Sequence, residues 1–289
     1  MLTLANVAPV GEPPSGSMVD LPGRGSTYVT DTGAPGGGAS PKPTLVLLHA
    51  LACTGALTWY PAIPRLAERY RVVTLDQRWH GRGIRSERFT LEDCADDVAA
   101  LADALGLERV VPVGYSMGTL VAQLTWRRHR DRVAGLVLCA GTTGFRRAPR
   151  ERVTLDALNA WMGTLRPGAG RPPGPERPDG LDRTDAQDRA WALRQFRSTS
   201  AGAVGRATAE IGKFDSSGWI ADVDVPTAVV VTGTDLVIPA RRQRWMARQI
   251  DGASTYEVDA GHASCVLESE TFISGLLPAC VSVSSRVRP

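Results

Sequence analysis

The stretch VVPVGYSMGTLVAQLTW, residues 110–126, decides the fold of this chain. It begins with apolar residues that favour a β-strand and ends with residues that favour an α-helix. Between them lies the pattern Gly114-Tyr115-Ser116-Met117-Gly118. Strand, sharp turn and helix is the setting of a nucleophile elbow, in which small residues let strand and helix approach closely. Such a turn strains the serine, points its hydroxyl outward and leaves the Met117 N–H free at the helix N-terminus.

The five-residue pattern is weak on its own, because the 289-residue chain contains 30 glycines. A serine in a glycine-rich turn between a strand and a helix can simply cap that helix. The rest of the chain must therefore decide between a structural and a reactive role for Ser116.

The composition favours a globular protein that binds neither nucleic acid nor a membrane. The chain is 43% hydrophobic with a net charge of +3, and its 33 basic residues are scattered and almost all arginine. No aromatic residues are interleaved with them in a stripe, and no apolar run reaches the length of about 18 residues that spans a membrane. We therefore expect a small-molecule substrate, and the oligomeric state stays open.

The five cysteines are widely spaced, with no Cys-x-x-Cys pattern and no histidine at metal-ligand spacing. Free thiols in a reducing compartment are the simplest interpretation of this pattern. The sequence also has no basic residue before Arg24 and no continuous apolar segment near its start, so it predicts no secretory signal. These features predict a cytoplasmic protein without a metal or another cofactor.

Apolar β-prone runs alternate with amphipathic helical runs along most of the chain. Continuous apolar runs, typical of strands buried on both faces, lie at 44–48, 72–75, 110–113, 133–139 and 227–231, with a weaker one at 254–258. Apolar residues recur at helical spacing from Trp59 to Tyr70 and from Leu91 to Leu105. Two shorter strands are expected at 19–21 and 27–30, after a loose tail over residues 1–17. This order predicts an α/β fold with a mostly parallel central sheet covered by helices on both faces.

The alternation stops between residues 146 and 222, where no apolar β-run occurs. This segment combines helical stretches and a Pro- and Gly-dense stretch with the aromatic residues Trp161, Trp191, Phe196, Phe214 and Trp219. Ligands in open α/β sheets bind outside the carboxyl ends of the strands. We therefore predict a helical cap over 146–222 and an α/β core over 18–145 and 223–289. The alternative is a helical piece whose aromatic residues form only its own core.

A serine hydroxyl needs a base within hydrogen-bond reach and a group that orients the base. Of the four histidines, His129 lies at the polar end of the helix after Ser116, which carries it away from the turn. His49 and His80 each follow a strand, so their position does not exclude them. His262 lies in a loop between the last strand and the C-terminal helix.

The carboxylate that would orient this base is more constrained. Asp235 follows a continuous apolar run and a glycine turn, which places it at the carboxyl end of a strand. Asp222 and Asp224 precede the same strand and lie at its other end. The order Ser116, Asp235, His262 follows, with each side chain at the carboxyl end of a different strand.

The chain resembles the α/β-hydrolase family over about residues 18–280. The resemblance rests on five motifs in family order: Leu47-Leu48-His49-Ala50-Leu51, Asp76-Gln77-Arg78-Trp79-His80-Gly81-Arg82-Gly83, Gly114-Tyr115-Ser116-Met117-Gly118, Gly233-Thr234-Asp235 with Pro239, and Gly261-His262. It implies an α/β-hydrolase fold and a catalytic triad of Ser116, Asp235 and His262. It also implies an oxyanion hole made by the N–H groups of Leu51 and Met117, while the histidine that precedes Ala50 has a supporting structural role.

The chain departs from the usual family pattern at two positions. Ala50 stands where the family usually has glycine, and its methyl group reduces the backbone freedom of the loop that carries Leu51. Trp79 stands where glycine is common, so it either shapes the substrate pocket or simply packs.

A serine at the elbow directs the chemistry towards acyl groups. The resemblance implies that relatives which cleave epoxides or carbon–halogen bonds carry aspartate there, which leaves ester, thioester, lactone or C–C bond hydrolysis and acyl transfer. The predicted pocket residues, which suit an apolar acyl or alkyl group, are Tyr115, Trp79, Trp161, Leu236 and Val237.

Our first interpretation is a serine hydrolase that cleaves a carboxylic ester, or a related acyl bond, of a small apolar substrate through an acyl-enzyme. Two alternatives stay open. One is a biosynthetic tailoring enzyme that uses the triad for C–C cleavage, cyclisation or acyl transfer. The other is a non-catalytic protein that binds a small molecule.

Overall fold

One sheet organises the part of the chain that the computed structural model describes, which is residues 7–10, 12, 14–37, 42–145 and 185–287. Within those residues the strands are β1 (Ser17–Leu21), β2 (Gly25–Asp31), β3 (Thr44–Leu48), β4 (Val72–Leu75), β5 (Val110–Tyr115), β6 (Leu136–Cys139), β7 (Thr227–Thr232) and β8 (Ser254–Val258). The α-helices within them are α1 (Gly55–Trp59), α2 (Ile63–Ala67), α3 (Leu91–Ala104), α4 (Met117–Arg128), α5 (Asp185–Arg197), α6 (Ala201–Lys213), α7 (Ala240–Gln249), α8 (Ser264–Leu267) and α9 (Ser269–Ser284).

The strands lie side by side in the order β1-β2-β4-β3-β5-β6-β7-β8. β1 and β2 form an antiparallel hairpin, β2 pairs antiparallel with β4, and the pairs from β4 to β8 are parallel. The predicted α/β fold with a mostly parallel sheet is therefore confirmed. The chain passes from β3 to β4 on one side and then crosses to β5 on the other side of β3. Open α/β sheets bind ligands at such a switch point, outside the carboxyl ends of the strands.

Two apolar layers cover the two faces of the sheet. Alternation along β3 sends Val46 and Leu48 into one layer with α3, α4 and α7. Leu45 and Leu47 enter the other layer, with α1, α2 and α9. β5 sends Tyr115 into this second layer. The sheet is therefore covered by helices on both faces, which explains why its central strands are continuously apolar.

The start of the chain differs from the prediction of a loose tail over residues 1–17. Val10 is buried, and its N–H donates to Asp188 of α5 at 3.2 Å. The N–H of Ala8 donates to the carbonyl of Val266 in α8 at 3.1 Å, and the Tyr60 hydroxyl donates to the Ala8 carbonyl at 2.8 Å. This part of the predicted tail is packed because its backbone groups find partners on three different elements. β1 also begins earlier than predicted.

α5 and α6 are the described helices of the predicted cap. The last turn of α5 and the loop that follows it each contact the core: the Thr54 hydroxyl donates to Gln195 of α5 at 2.9 Å, and the Gly81 N–H donates to the hydroxyl of Thr199 in the loop at 3.2 Å. Residues 146–184, which include Trp161, lie outside the described residues. The boundaries of the cap stay a prediction.

The described aromatic residues of this segment mainly fill space between elements. Trp191 packs edge-on against Tyr60, with ring centroids 5.1 Å apart. Trp219 stacks on Trp126 of α4 at 6.2 Å. Phe196 packs against the loop that follows β3. Phe214 is buried and packs edge-on against Trp219 at 6.4 Å. Trp191 and Trp219 therefore pack on the core, and Phe196 reaches a loop at the carboxyl edge of the sheet.

None of the helices in the described ranges has both the length and the apolar character needed to cross a bilayer. All cysteines of the chain lie in these ranges, and none of them forms a disulfide.

A buried ion-pair cluster joins α3 to the hairpin of β1 and β2 and to the loop after β4. Asp97 accepts hydrogen bonds from Arg78 at 2.7 and 2.9 Å and from Arg24 at 2.6 Å. Its side chain is 2% exposed and that of Arg78 is 7% exposed. Burial works to lower the pKa of Arg78, but the Asp97 carboxylate outweighs burial and raises that pKa. The cluster therefore depends on both charges being present.

We predict that Asp97→Asn lowers the free energy of unfolding by about 3–5 kcal/mol, because it leaves a buried guanidinium without its counter-charge. Urea denaturation of the purified variant would measure the loss. Asp31→Asn is the matched control, because Asp31 pairs with Arg71 at 2.6 Å but has a side chain that is 26% exposed. Its loss is expected to stay below about 1 kcal/mol. Equal losses in the two variants would contradict the prediction.

Candidate active site

The turn after β5 holds Ser116 in the left-handed backbone region, with a φ of 54°. A residue other than glycine in such a conformation costs on the order of 1–3 kcal/mol, so its surroundings must enforce it. A β-carbon on Gly118 would lie 2.1 Å from the Leu48 carbonyl oxygen, and one on Gly114 would lie 2.3 Å from the Gly118 carbonyl oxygen. Strand and helix therefore meet through their backbones. The Ser116 N–H donates to the Cys139 carbonyl at 3.0 Å, which ties the turn to β6.

A chain of two hydrogen bonds runs from Ser116 to His262 and on to Asp235. Ser116 Oγ lies 2.9 Å from His262 Nε2, and His262 Nδ1 lies 2.7 Å from Asp235 Oδ2. The side chain of Asp235 is fully buried and that of His262 is 19% exposed. The three residues follow β5, β8 and β7, so the carboxyl ends of three parallel strands bring them together.

The Asp235 carboxylate is held by its own loop as well as by His262. Its Oδ1 accepts the N–H groups of Val237 and Ile238, each at 2.8 Å, and its Oδ2 accepts the Thr232 hydroxyl at 2.8 Å. Burial works to raise the pKa of Asp235, but the hydrogen bond and charge of His262, together with these donors, lower it overall. An ionised carboxylate therefore faces Nδ1, which keeps a proton on Nδ1 and leaves the lone pair of Nε2 for the Ser116 hydroxyl.

Of the four histidines, only His262 contacts Ser116 among the hydrogen bonds of the described residues. His129 bonds to Asp96 at 2.8 Å, at the far end of α4. His80 is buried, with Nδ1 3.0 Å from the Arg78 carbonyl. His49, the other candidate by position, is fully buried and uses both ring nitrogens on backbone groups.

His49 fixes the loop that carries Leu51. The Gln77 N–H donates to His49 Nε2 at 2.8 Å, so Nδ1 must carry the proton, and it donates to the Ala50 carbonyl at 2.7 Å. Burial, with the nearby His80 ring, lowers the pKa of His49 well below its usual value, which keeps the ring neutral. The Ala50 carbonyl and the Leu51 N–H belong to one planar trans peptide, so they point in opposite directions. Fixing that carbonyl therefore fixes the direction of the Leu51 N–H.

Two backbone N–H groups near the carboxyl ends of β3 and β5 have no hydrogen-bond partner in the part of the chain that the structure describes. The N–H groups of Leu51 and Met117 take part in no hydrogen bond among the described residues. Met117 is the first residue of α4, where the helix leaves its N–H groups unsatisfied and favours negative charge. Ala52, next to Leu51, has a φ of 67°, so the loop after β3 is strained in the same way as the turn at Ser116.

Tyr115 does not line a pocket, contrary to the prediction. Its side chain is completely buried between Trp59 and Phe272, with ring centroids 6.2 and 5.1 Å away. Side chains alternate between the two faces of a strand. Tyr115 therefore enters the apolar layer with α1, α2 and α9, whereas Ser116 lies in the turn after the strand. The Tyr115 hydroxyl donates to the carbonyl of His262 at 2.8 Å.

Trp79 also packs rather than standing free in a cleft. It is 8% exposed, contacts the Phe89 ring at 5.7 Å and donates from its indole nitrogen to the Ser86 carbonyl at 3.0 Å. The guanidinium of Arg206 on α6 lies 5.0 Å from its ring. Of the two roles open to this tryptophan, the described contacts favour packing.

The remaining predicted pocket residues have different surroundings. The side chain of Leu236 is 89% exposed. Val237 is partly buried and contributes the N–H that Asp235 accepts. Trp161 lies outside the described residues. A role for these residues in binding a substrate stays a prediction.

Two buried glutamines support the site without being among the predicted residues. Gln77 holds His49 through its N–H and through its side-chain amide, which donates to the His49 carbonyl at 2.8 Å. Gln243 on α7 lies 3.3 Å from Asp235 and accepts the Thr232 N–H at 3.0 Å. The sequence does indicate that Gln243 is buried, because it lies at helical spacing with the buried residues of α7. A polar residue on such an apolar stripe indicates a buried hydrogen-bonding partner.

Within the described ranges, no three His, Cys, Asp or Glu side chains come together in a way that could hold a metal ion. The groups that the carboxyl edge of the sheet brings together are a hydroxyl, an imidazole and a carboxylate, with two backbone N–H groups on neighbouring segments.

Comparison with known proteins relates the chain to a family. The sequence profile of the Alpha/beta hydrolase family matches residues 45–272. RutD of Caulobacter sp. (strain K31), which is provisionally named a carbamate hydrolase, is 37% identical over 108 residues, or 37% of this chain. The chain spans 40% of the length of RutD in this match.

One further relative and one solved structure match more of the chain. 3-Oxoadipate enol-lactonase 1 of Acinetobacter baylyi is 26% identical over 243 residues, which cover 82% of this chain and 88% of the lactonase. The structure of a thermophilic esterase from Thermogutta terrifontis is similar with a TM-score of 0.71 and 22% identity, over 93% of this chain and 99% of the esterase. At that identity the structural match supports the fold.

We predict that His49 stays neutral in the folded protein well below pH 6.5, the usual pKa of histidine. Below that pH the His49 ring binds a proton in the unfolded chain but stays unprotonated in the folded protein. The contribution of His49 to stability is therefore complete above pH 6.5 and is lost towards acid, by up to about 1.4 kcal/mol per pH unit, until the folded pKa is reached. An NMR titration of the ring nitrogens would measure this, and titration of the folded His49 ring near pH 6.5 would contradict it.

Proposed function

This chain belongs to the alpha/beta hydrolase family, and on that premise we propose that it is a serine hydrolase that cleaves a carboxylic ester or lactone of a small apolar substrate. The observation that carries the proposal is the hydrogen-bonded series from Ser116 Oγ through His262 to the buried Asp235 carboxylate. This arrangement gives the hydroxyl a base and gives the base a fixed tautomer.

The first half of the proposed reaction forms an acyl-enzyme. Ser116 Oγ attacks the substrate carbonyl carbon while His262 Nε2 takes the hydroxyl proton, and the carbonyl oxygen becomes an oxyanion. The tetrahedral intermediate then expels the leaving oxygen, which takes the proton from His262. Asp235 stabilises the imidazolium that exists between these two proton transfers.

The second half returns the enzyme to its starting state. A water molecule gives a proton to His262 Nε2 and attacks the acyl carbon, which forms a second oxyanion. When this intermediate collapses, the bond to Ser116 Oγ breaks and the serine recovers the proton from His262. A carboxylic acid leaves, so the sum of both halves is hydrolysis.

The proposed oxyanion site consists of the Leu51 and Met117 N–H groups. Neither has a hydrogen-bond partner among the described residues. Leu51 lies in the loop after β3 and Met117 begins α4 after β5, so both follow the carboxyl ends of adjacent strands. The hydrogen bond from His49 to the Ala50 carbonyl fixes the direction of the Leu51 N–H, and the start of α4 leaves the Met117 N–H unsatisfied. One such donor is worth about 3 kcal/mol of barrier.

The substrate class follows from the relatives and from the surroundings of the loop after β3. The relatives are named for a carbamate, an enol-lactone and an ester, which share a carbonyl bonded to a heteroatom that leaves. Leu51 and Ala52 contact Val204 and Phe196 of the helices α5 and α6 in an apolar cluster. An apolar wall beside the proposed oxyanion site suits an aliphatic acyl or alkyl group and makes a charged one unfavourable. We place these helices in a cap over 146–222.

We propose a cytoplasmic location for this activity. None of the cysteines forms a disulfide, and four of the five are buried. Burial raises the pKa of the Cys280 thiol to about 12. Protonated, unbridged thiols suit a reducing compartment.

We predict that Ser116→Ala reduces kcat by about 10⁴-fold or more, because the reaction loses its nucleophile. Hydrolysis of a short-chain p-nitrophenyl ester would measure the loss, and labelling by a fluorophosphonate with peptide mapping would identify the reactive residue. Ser274→Ala is the matched control, because Ser274 is an exposed serine on α9 that bonds only within its own helix. Near-full esterase activity in Ser116→Ala would falsify the proposal.

We predict that the wild-type protein turns over p-nitrophenyl esters and small lactones, with kcat/KM highest for apolar acyl chains. A panel of esters, lactones and carbamates with neutral and charged acyl groups would measure this preference. Transfer to an added alcohol at the expense of hydrolysis would instead indicate an acyltransferase. Saturable binding without any turnover would indicate a binding protein.

A further inference from the structure

The Tyr115 hydroxyl is hydrogen-bonded to the backbone of His262. Tyr115 immediately precedes Ser116, and its hydroxyl lies 2.8 Å from the His262 carbonyl and 3.1 Å from Ser264 Oγ. A carbonyl can only accept, so the phenol proton goes to His262. Ser264 must then donate its own proton to the phenol oxygen. The hydroxyl is thus satisfied both as donor and as acceptor.

The Tyr115 hydroxyl holds a part of the His262 loop that no other hydrogen bond of the described residues holds. Among the hydrogen bonds of the described residues, no other donor reaches the His262 carbonyl. The neighbouring bonds, from Gly261 N–H to Glu268 at 2.9 Å and from Ser264 N–H to the Gly261 carbonyl at 3.2 Å, hold the residues on either side. The peptide that follows the imidazole is therefore held by Tyr115.

The phenol ring itself is rigidly placed. It is fully buried and packs edge-on against Trp59, at 87°, and Phe272, at 83°. Edge-to-face aromatic pairs of this kind have a preferred geometry. A phenol has two side-chain torsions before its hydroxyl, so this packing fixes the position of the oxygen. Burial also raises the pKa of the Tyr115 phenol well above its usual value, so the hydroxyl stays protonated and able to donate.

We propose that Tyr115 is a positioning residue that couples the nucleophile to its base. One residue pair, 115–116, contacts His262 twice: Ser116 Oγ meets the imidazole and the Tyr115 hydroxyl meets the carbonyl of the same residue. The two contacts hold His262 at its side chain and at its backbone, so that Nε2 stays at hydrogen-bond distance from the serine. This inference rests on the proposed function, because it requires His262 to act as the base.

The rival explanation is that Tyr115 only fills the core. Tyr70 provides the comparison, because it is also buried, belongs to the same apolar layer and bonds its hydroxyl to Ser284 at 2.9 Å. Among the described residues, its side-chain hydrogen bond and its cation contact are with Ser284 and Lys42 and not with Ser116, Asp235 or His262. Tyr70→Phe and Tyr115→Phe therefore each remove one buried, hydrogen-bonded hydroxyl, and only the second touches the loop of the base.

The test compares these two variants by active-site titration with a fluorophosphonate, followed by steady-state hydrolysis of a p-nitrophenyl ester. Titration counts the folded, reactive sites, so a folding defect lowers the count and leaves kcat per site unaffected. We expect Tyr115→Phe to lose about tenfold to 100-fold in kcat per site with KM little changed, because small misplacements of reacting groups have effects of this size. Its rate of inactivation by the fluorophosphonate falls in parallel. Tyr70→Phe stays within about twofold of wild type in both rates.

A further comparison, with the double variant of Tyr115 and Ser116, tests the positioning role of Tyr115 separately from the proposed function. If Tyr115 acts only through the serine and the histidine, the double variant Tyr115→Phe/Ser116→Ala is no less active than Ser116→Ala alone. Wild-type kcat per site in Tyr115→Phe, with Ser116→Ala inactive, would overturn the positioning role and leave the proposed function intact. Full activity in Ser116→Ala would overturn both. Equal losses in Tyr70→Phe and Tyr115→Phe would establish the rival explanation.

Discussion

The backbone contact between β3 and α4 is the constraint on which the rest of the structure depends. At Gly118 the helix comes so close to the Leu48 carbonyl that a β-carbon would lie 2.1 Å from its oxygen. This contact forces the turn at Ser116 into a conformation that serine does not favour. The free energy that offsets this strain comes from the strands around the turn, because β3, β5 and β6 are buried along their whole length. The stability of the central sheet is thus what directs the hydroxyl out of the fold.

The sequence predicts most of this architecture because the responsible signals are local. Continuous apolar runs identify buried strands, and the strand ends then place Asp235 and His262 on the same edge as Ser116. Strand ends alone cannot choose among His49, His80 and His262, because all three follow a strand, and in the sequence it is the family resemblance that favours His262. Only the hydrogen bonds decide, since the ring of His49 is committed to two backbone groups while His262 faces the serine.

Strand alternation explains why one predicted pocket residue is structural. Along β5, Tyr115 has the same parity as Val111 and Val113, and all three enter the layer with α1, α2 and α9. This parity is present in the sequence, and it decides which face Tyr115 takes, whereas closeness to Ser116 along the chain does not. By contrast, the contact between Tyr115 and His262 joins residues 147 positions apart. Contacts at that separation depend on the register of the whole sheet, which no local pattern encodes.

The loops at the carboxyl edge share one means of support, which is a side chain that bonds to backbone. His49 holds the Ala50 carbonyl, Asp235 accepts N–H groups of its own loop, and Tyr115 holds the His262 carbonyl. A side chain that grips a peptide fixes both its C=O and the neighbouring N–H, because the unit is planar. Loops held in this way need little rearrangement when charge develops on a substrate, and such preorganisation is the main source of electrostatic catalysis. The buried residues behind the site therefore contribute to its geometry as much as Ser116, His262 and Asp235 do.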